Sequence, residues 1–238
     1  MAQSEHPYYP FMLQAARLAE LSRGDAYTNP VVGALLVKDG RIVAQGRHRF
    51  FGGPHAEIEA LNMAARLGVN PAECTLVVTL EPCTHQGKTP PCCQAVLKAG
   101  IKHVIIGAMD PTEQAGGGAA FLRSRGLHVE TGIARELCER QLTEFIFLRK
   151  SALPFVSLKL AATLDGAIAT REGESRWITG PLARERVREL RMSAQGIMVG
   201  GNTFRRDNPQ LLIRPPLTPK ELKSAVSEPY SPCAAPIN

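Results

Sequence analysis

What this chain lacks narrows its class before any motif is considered. No apolar run approaches the roughly 18 residues needed to span a bilayer, so no membrane segment is expected. Met1 to Pro10 has no basic start followed by an apolar core, so no secretory leader is expected either. Lysine and arginine are nowhere dense enough to make a polybasic arm, which argues against a nucleic-acid-binding tail. The chain therefore reads as cytoplasmic, a compartment where disulfides are disfavoured. Its six cysteines (Cys74, Cys83, Cys92, Cys93, Cys138 and Cys233) then read as ligands and core thiols rather than as staples.

What is present is ordinary for a globular protein: 238 residues, 44% hydrophobic and 21% charged, with a mean hydropathy of −0.09. That length suits one or two domains with a real core. A formal charge of +6 suits an anionic partner such as a phosphorylated metabolite, although a solvated basic surface gives the same number.

In chain order, Tyr9 to Leu21 has helical spacing and Gly24 offers a stop. Val31 to Val37 reads as a strand, turned by Asp39-Gly40 into a second strand over Arg41 to Gly46. A helix follows Gly52-Gly53-Pro54 and ends at Gly68; Thr75 to Leu80 reads as a short buried strand. Pro90-Pro91 opens another helix that stops at Gly100, and His103 to Gly107 is a further strand. A glycine run leads to a short helix, then the strand Leu127 to Glu130 and a helical stretch from Ile133 to Leu148. This alternation predicts an α/β layered domain over residues 1 to about 150. Parallel neighbours would bring the ends of strands 75–80 and 103–107 to one edge, where open sheets bind ligands.

That edge is where the chemistry-bearing residues gather: His55-Ala56-Glu57, then Glu81-Pro82-Cys83, then Pro90-Pro91-Cys92-Cys93. His55, Cys83 and Cys92 would supply three zinc ligands and leave the fourth position to water. Glu57 would be free to move that water's proton. Residues two apart on a helix point about 200° from one another, so His55 and Glu57 cannot both serve a centre beside the helix. Both can reach a centre off its N-terminal end. Cys92 also begins a helix, so two positive helix ends would favour thiolates there. Taken singly, each residue has a structural explanation. Together they match the His-x-Glu…Pro-Cys…Cys pattern of zinc deaminases. Two alternatives share parts of this pattern. A nucleoside or tRNA-editing zinc deaminase more typically carries Cys-x-x-Cys, which is missing here, and a structural zinc module needs a fourth protein ligand, with Cys93, His85 and Cys74 as candidates.

The eight-residue gap between Cys83 and Cys92 is the more specific feature. Glu81-Pro82-Cys83-Thr84-His85-Gln86-Gly87-Lys88-Thr89-Pro90-Pro91-Cys92-Cys93 closely resembles the bifunctional deaminase–reductase family of riboflavin biosynthesis, as do Asn29-Pro30-x-Val32-Gly33, His48 and Asp110-Pro111. Beyond the first domain, Lys159-Leu160-Ala161-x-x-Leu164-Asp165-Gly166, Gly173-Glu174-Ser175-x-Trp177-Ile178-Thr179 and the run from Thr203 to Arg214 resemble the start of its reductase domain. The resemblance covers roughly residues 8 to 214.

It implies a three-layer cytidine-deaminase-like domain followed by an incomplete dihydrofolate-reductase-like domain over 151–214, with a Pro-rich tail over 215–238 that reads as disordered. It implies deamination of 2,5-diamino-6-ribosylamino-4(3H)-pyrimidinone 5′-phosphate to 5-amino-6-ribosylaminouracil 5′-phosphate, then reduction of the ribose with NADPH. His55, Cys83 and Cys92 would hold zinc, and Glu57 would carry the proton from water to ring nitrogen and amine. Asn29, His48, Lys88 and Asp110 would contact substrate; Thr112 stands where the family commonly has Asn. Lys159, Ser175, Arg191, Leu211 and Arg214 match further substrate positions, and Ala161, Trp177, Thr203 and Asp207 match NADP positions. Roughly 60 residues between Pro154 and Arg214 rarely build a stable core alone, and the Gly-rich strand–helix for the NADP phosphates is missing. The deaminase is therefore expected to work and the reductase not. The expected partner is a small phosphorylated pyrimidine, with no nucleic acid and no membrane; the sequence leaves the oligomeric state open, a homo-oligomer included.

Overall fold

Buried apolar strands need cover on both faces, and short helices rich in alanine can supply it. The computed structural model, which describes residues 3–85, 90–112 and 115–213, meets this need with one mixed sheet in its first unit. The strands are β1 (Gly33–Lys38), β2 (Arg41–Arg47), β3 (Thr75–Leu80), β4 (His103–Ala108) and β5 (His128–Thr131). They run in the order β2-β1-β3-β4-β5. β1 is antiparallel to both β2 and β3, whereas β3, β4 and β5 are mutually parallel. The β1–β2 turn puts Asp39 at φ 49° and Gly40 at φ 68°, the two positive values that a tight hairpin turn demands.

The helices are α1 (Tyr9–Glu20), α2 (Ala56–Leu67), α3 (Cys92–Lys98), α4 (Gly118–Ser124), α5 (Arg135–Gln141) and α6 (Thr143–Lys150). Two glycines decide how closely α1 and α2 approach. A Cβ on Gly33 would lie 2.1 Å from the Ala15 carbonyl oxygen of α1. A Cβ on Gly46 would lie 2.2 Å from the Ala56 oxygen and 2.3 Å from the Ala60 nitrogen of α2. Gly46 pairs with Ala34, the neighbour of Gly33 on the strand, so the two glycines face opposite sides of the sheet. α5 joins α1, with Cys138 against Gly107, while α3 and α4 join α2. The result is three layers around Leu35, Leu36, Leu76, Val77, Val78, Ile105 and Ile106, all fully or almost fully buried.

The helical stretch expected from Ile133 to Leu148 is two helices, not one. Leu142, a turn residue at φ −90°, ψ −3°, separates them. The Thr143 hydroxyl donates to the Arg140 carbonyl, a local bond that competes with the helical ladder.

The second unit begins at Val156. It contains α7 (Pro181–Ser193) and α8 (Gly201–Asp207). Two tight turns precede them, closed by Thr163 with Ala167 and by Thr170 with Glu174, each through a 2.8 Å backbone bond. Among its described residues there is no strand and no buried side chain. The tail expected over 215–238 lies outside the described residues. No helix among the described residues is long and apolar enough to cross a membrane.

Candidate active site

The parallel register of β3 and β4 delivers Cys83 and Asp110 to the same sheet edge, just past the strand ends. There a cavity of about 270 Å³ is lined by Asn29, His48, His55, Glu57, Cys83, Asp110 and Thr112, among others. His55 is the N-cap of α2, with extended backbone (φ −71°, ψ 162°), and Cys92 is the first residue of α3. The His55 Nδ1 lies 3.2 Å from Cys92 Sγ and 3.6 Å from Cys83 Sγ. The Cys92 amide donates to Cys83 Sγ at 3.4 Å. One donor atom from each of the three residues lies within 4.8 Å of the others.

This donor set fits a zinc ion. The neighbouring Cys92 thiol and His55 outweigh burial and hold the Cys83 thiol well below its ordinary range, at about 4. The hydrogen bond with Cys83, burial and the neighbouring Glu57 and Cys83 charges push the Cys92 thiol up. A dication held between the two sulfurs would favour the thiolate form of both. One imidazole and two thiolates are ligands that zinc favours. The fourth-ligand candidates are otherwise engaged or exposed. Cys93 donates to the Pro82 carbonyl at 3.1 Å, and burial pushes its thiol up to about 12. Cys74 sits in the core with its thiol on the Asn70 carbonyl, and His85 is exposed. Among the described residues the cluster holds three ligands, the open arrangement of catalytic rather than structural sites.

Glu57, in the first turn of α2, is only 4% exposed. Burial raises its carboxyl to about 6, against its own backbone N–H and the His55 charge, which both lower it. His48 is also buried. Its Nδ1 donates to the Pro54 carbonyl at 2.9 Å, which leaves Nε2 to accept from Asn29 Nδ2 at 3.0 Å. Burial keeps this ring below its ordinary pKa, so it is neutral at pH 7. Asp110 accepts from the Thr112 amide at 2.8 Å and its hydroxyl at 2.6 Å. Thr112 thus fixes the Asp110 carboxylate. Lys88 and Arg214 lie outside the described residues.

Sequence reasoning assigned no role to three members of this region. Glu81 is buried at the end of β3, and its two oxygens accept from the Asp110 amide (3.1 Å) and the Ala119 amide (2.7 Å). Its signal was a glutamate directly after an apolar strand, where a buried charge needs partners. Phe51 and Arg149 also line the cavity. On α6, Arg149 lies over the Phe145 ring at 5.1 Å, a spacing that in sequence reads as a surface pair.

In the second unit, Lys159 is exposed and Ala161 and Ser175 are partly covered, all three outside helices. Trp177 is exposed beneath Arg184, whose guanidinium carbon lies 4.2 Å from the ring centroid. Arg191 on α7 donates to the Leu212 carbonyl, next to Leu211. Thr203 and Asp207 are exposed on α8, four residues apart. Arg188 pairs with Glu185 one turn back at 2.6 Å.

Residues 7–108 match the cytidine and deoxycytidylate deaminase zinc-binding region, and residues 154–228 match the RibD C-terminal domain. A riboflavin biosynthesis protein RibD of Bacillus amyloliquefaciens is 44% identical over 207 residues, which is 87% of this chain and 55% of the relative. Across both matched segments the chain is similar to the RibD proteins. The RibD of Escherichia coli is 41% identical over 86% of this chain and 55% of its own length. The crystal structure of a diaminohydroxyphosphoribosylaminopyrimidine deaminase/5-amino-6-(5-phosphoribosylamino)uracil reductase from Thermotoga maritima superposes with a TM-score of 0.81 at 45% identity, covering 88% of this chain and 60% of that one. The chain thus spans about half the length of the curated RibD relatives it matches. The first unit has the cytidine-deaminase-like α/β fold with a mixed sheet, as expected for a RibD deaminase.

Proposed function

We propose that the first unit hydrolyses the 2-amino group of 2,5-diamino-6-ribosylamino-4(3H)-pyrimidinone 5′-phosphate, releasing ammonia and 5-amino-6-ribosylaminouracil 5′-phosphate. The observation that carries this reading is a buried glutamate two residues from His55 of a three-ligand His-Cys-Cys cluster, opening into a cavity with its own polar rim. His55, Cys83 and Cys92 would hold zinc, which when bound supplies Lewis acidity that brings a water's pKa towards about 7.

The remaining roles fall to the chain. Glu57, poised near 6, takes a proton from the attacking water, hands it to the ring nitrogen and assists the amino group's departure as ammonia. The water's oxygen becomes the new carbonyl oxygen, so one water is consumed for each ammonia released. Asn29, oriented by neutral His48, and Asp110, oriented by Thr112, suit the polar edge of a pyrimidine. Arg149 brings a positive charge to the cavity, which suits an anionic group on the same ligand.

In the second unit, Lys159, Ser175, Arg191, Leu211 and Arg214 are proposed for the reductase substrate, and Ala161, Trp177, Thr203 and Asp207 for NADPH. The chain by itself is proposed to carry the deaminase activity and not the reductase activity. A second unit without a strand or a buried side chain among its described residues supports that division. The test is turnover on the diaminopyrimidinone phosphate with NADPH present. Ammonia release without NADPH oxidation is expected, and NADPH consumption at the rate of ammonia release would overturn the division.

A further inference from the structure

The opposite ends of the same parallel strands carry a second cluster of metal-ligand side chains. The β4–β5 register pairs His103 with His128. Glu130 lies two residues beyond His128 and therefore on the same sheet face. One donor atom from each of the three lies within 4.8 Å of the others. The His103 Nε2 is 2.8 Å and the His128 Nε2 3.4 Å from the same oxygen, Glu130 Oε1. His6, just ahead of α1, places its Nε2 3.1 Å from the other oxygen, Oε2. Three of the chain's six histidines thus converge on one carboxylate.

The surroundings hold these rings in place. Thr75 Oγ1 lies 3.3 Å from the His103 Nδ1 and 3.0 Å from the Tyr8 hydroxyl. The Tyr8 amide donates to the His6 Nδ1 at 3.3 Å, so the His6 Nε2 carries the ring proton and donates it to the carboxylate. The Thr75 contact on His103 is of the kind that orients a metal-binding imidazole, and the His6 bond orients the carboxylate. Burial alone would raise the Glu130 carboxyl, but the bonds from His103 and His6 outweigh it and keep the group below the ordinary carboxylate range.

We propose that His103, His128 and Glu130 form a second metal site, taking a late first-row divalent cation such as zinc or nickel, with His6 holding the free side of the carboxylate. Two imidazoles and one carboxylate select such ions over magnesium and calcium, which require an oxygen shell. Because β4 runs five residues from His103 to Ala108, this site lies about 17 Å along the sheet from the cavity edge. It would tie the N-terminal segment to the β4–β5 edge without touching the deamination chemistry. His128, with a side chain 70% exposed, gives the cation an open approach.

The experiment counts metal on the full chain after equilibrium dialysis against zinc, by atomic absorption. Two zinc ions per wild-type chain are expected, against one for His128→Ala and one for the double variant His103→Ala/His128→Ala, with deaminase turnover showing that each variant is folded. A single zinc on the wild type, or a second zinc that survives in the double variant, would overturn the proposal. Nickel supplies an independent readout on protein loaded with a single equivalent of zinc, which fills the His-Cys-Cys cluster first and leaves the second site open. It should raise the melting temperature of the wild type and leave His128→Ala unmoved; an equal shift in both would also overturn it.

Discussion

Replacing Glu57 with glutamine separates the proton carrier from the metal cluster, and it should act in opposite directions on rate and on stability. Glutamine keeps the shape of the side chain but cannot accept and return a proton. General acid–base catalysis is worth about 10²- to 10⁴-fold, so kcat should fall by that factor, or about 3–5 kcal/mol of barrier. Zinc content should stay at the wild-type value, because His55, Cys83 and Cys92 are untouched. The stability effect follows from burial. Moving a carboxyl from its ordinary 4.5 to about 6 corresponds to about 2 kcal/mol. The folded chain holds this proton more tightly than the unfolded chain, so the stabilisation is full below pH 4.5 and lost as pH rises through 6. Glutamine does not titrate there. In metal-free protein, the stability of Glu57→Gln relative to wild type should therefore rise by about 2 kcal/mol between pH 4.5 and pH 7. Urea denaturation of both proteins across that range measures the difference. A flat difference would refute the buried-carboxylate reasoning, and retained turnover in the variant would remove Glu57 from the mechanism.

Substitutions at three further positions probe the site. Gly46→Ala drives a Cβ into the Ala56 and Ala60 backbone of the helix that carries Glu57, so a loss of about 3 kcal/mol or more is expected by thermal denaturation, with reduced zinc retention. Glu81→Ala strands the buried amides of Asp110 and Ala119, which should cost about 2–4 kcal/mol in urea denaturation; Glu81→Gln, with one acceptor oxygen, should cost less. Arg149→Ala should weaken competitive inhibition by inorganic phosphate about tenfold, the loss of one charge-assisted contact; unchanged inhibition would take Arg149 out of anion binding.

The sheet was legible because its signals are local and agree with one another. Thr75–Leu80 is bounded as its apolar run implies, and the Asp39-Gly40 turn sits where two positive φ values are required. Pro54 and Gly68 bracket α2, and Gly68 ends it in the left-handed conformation at φ 68°. Helix periodicity alone also indicated that His55 and Glu57 meet their cluster off the helix end, and His55 is indeed the N-cap. What escaped sequence reasoning depends on contacts between distant segments. Nothing near Glu81 reveals that its partners are the amides of residues 110 and 119. Nothing near Phe145 or Arg149 reveals that α6 returns to the cavity. The break at Leu142 went unseen because a hydroxyl bonding back three residues leaves the apolar periodicity intact.

The double bond made by Glu81 has a consequence for how ligands are chosen. A single rigid carboxylate grips both the start of the segment after β4 and the first turn of α4. The separation of those two points is therefore set by the width of one functional group and is complete before any ligand arrives. Asp110 then stands on a preorganised rim. Little ordering entropy remains to be lost at Asp110 on binding, so this part of the rim favours ligands that fit a fixed shape.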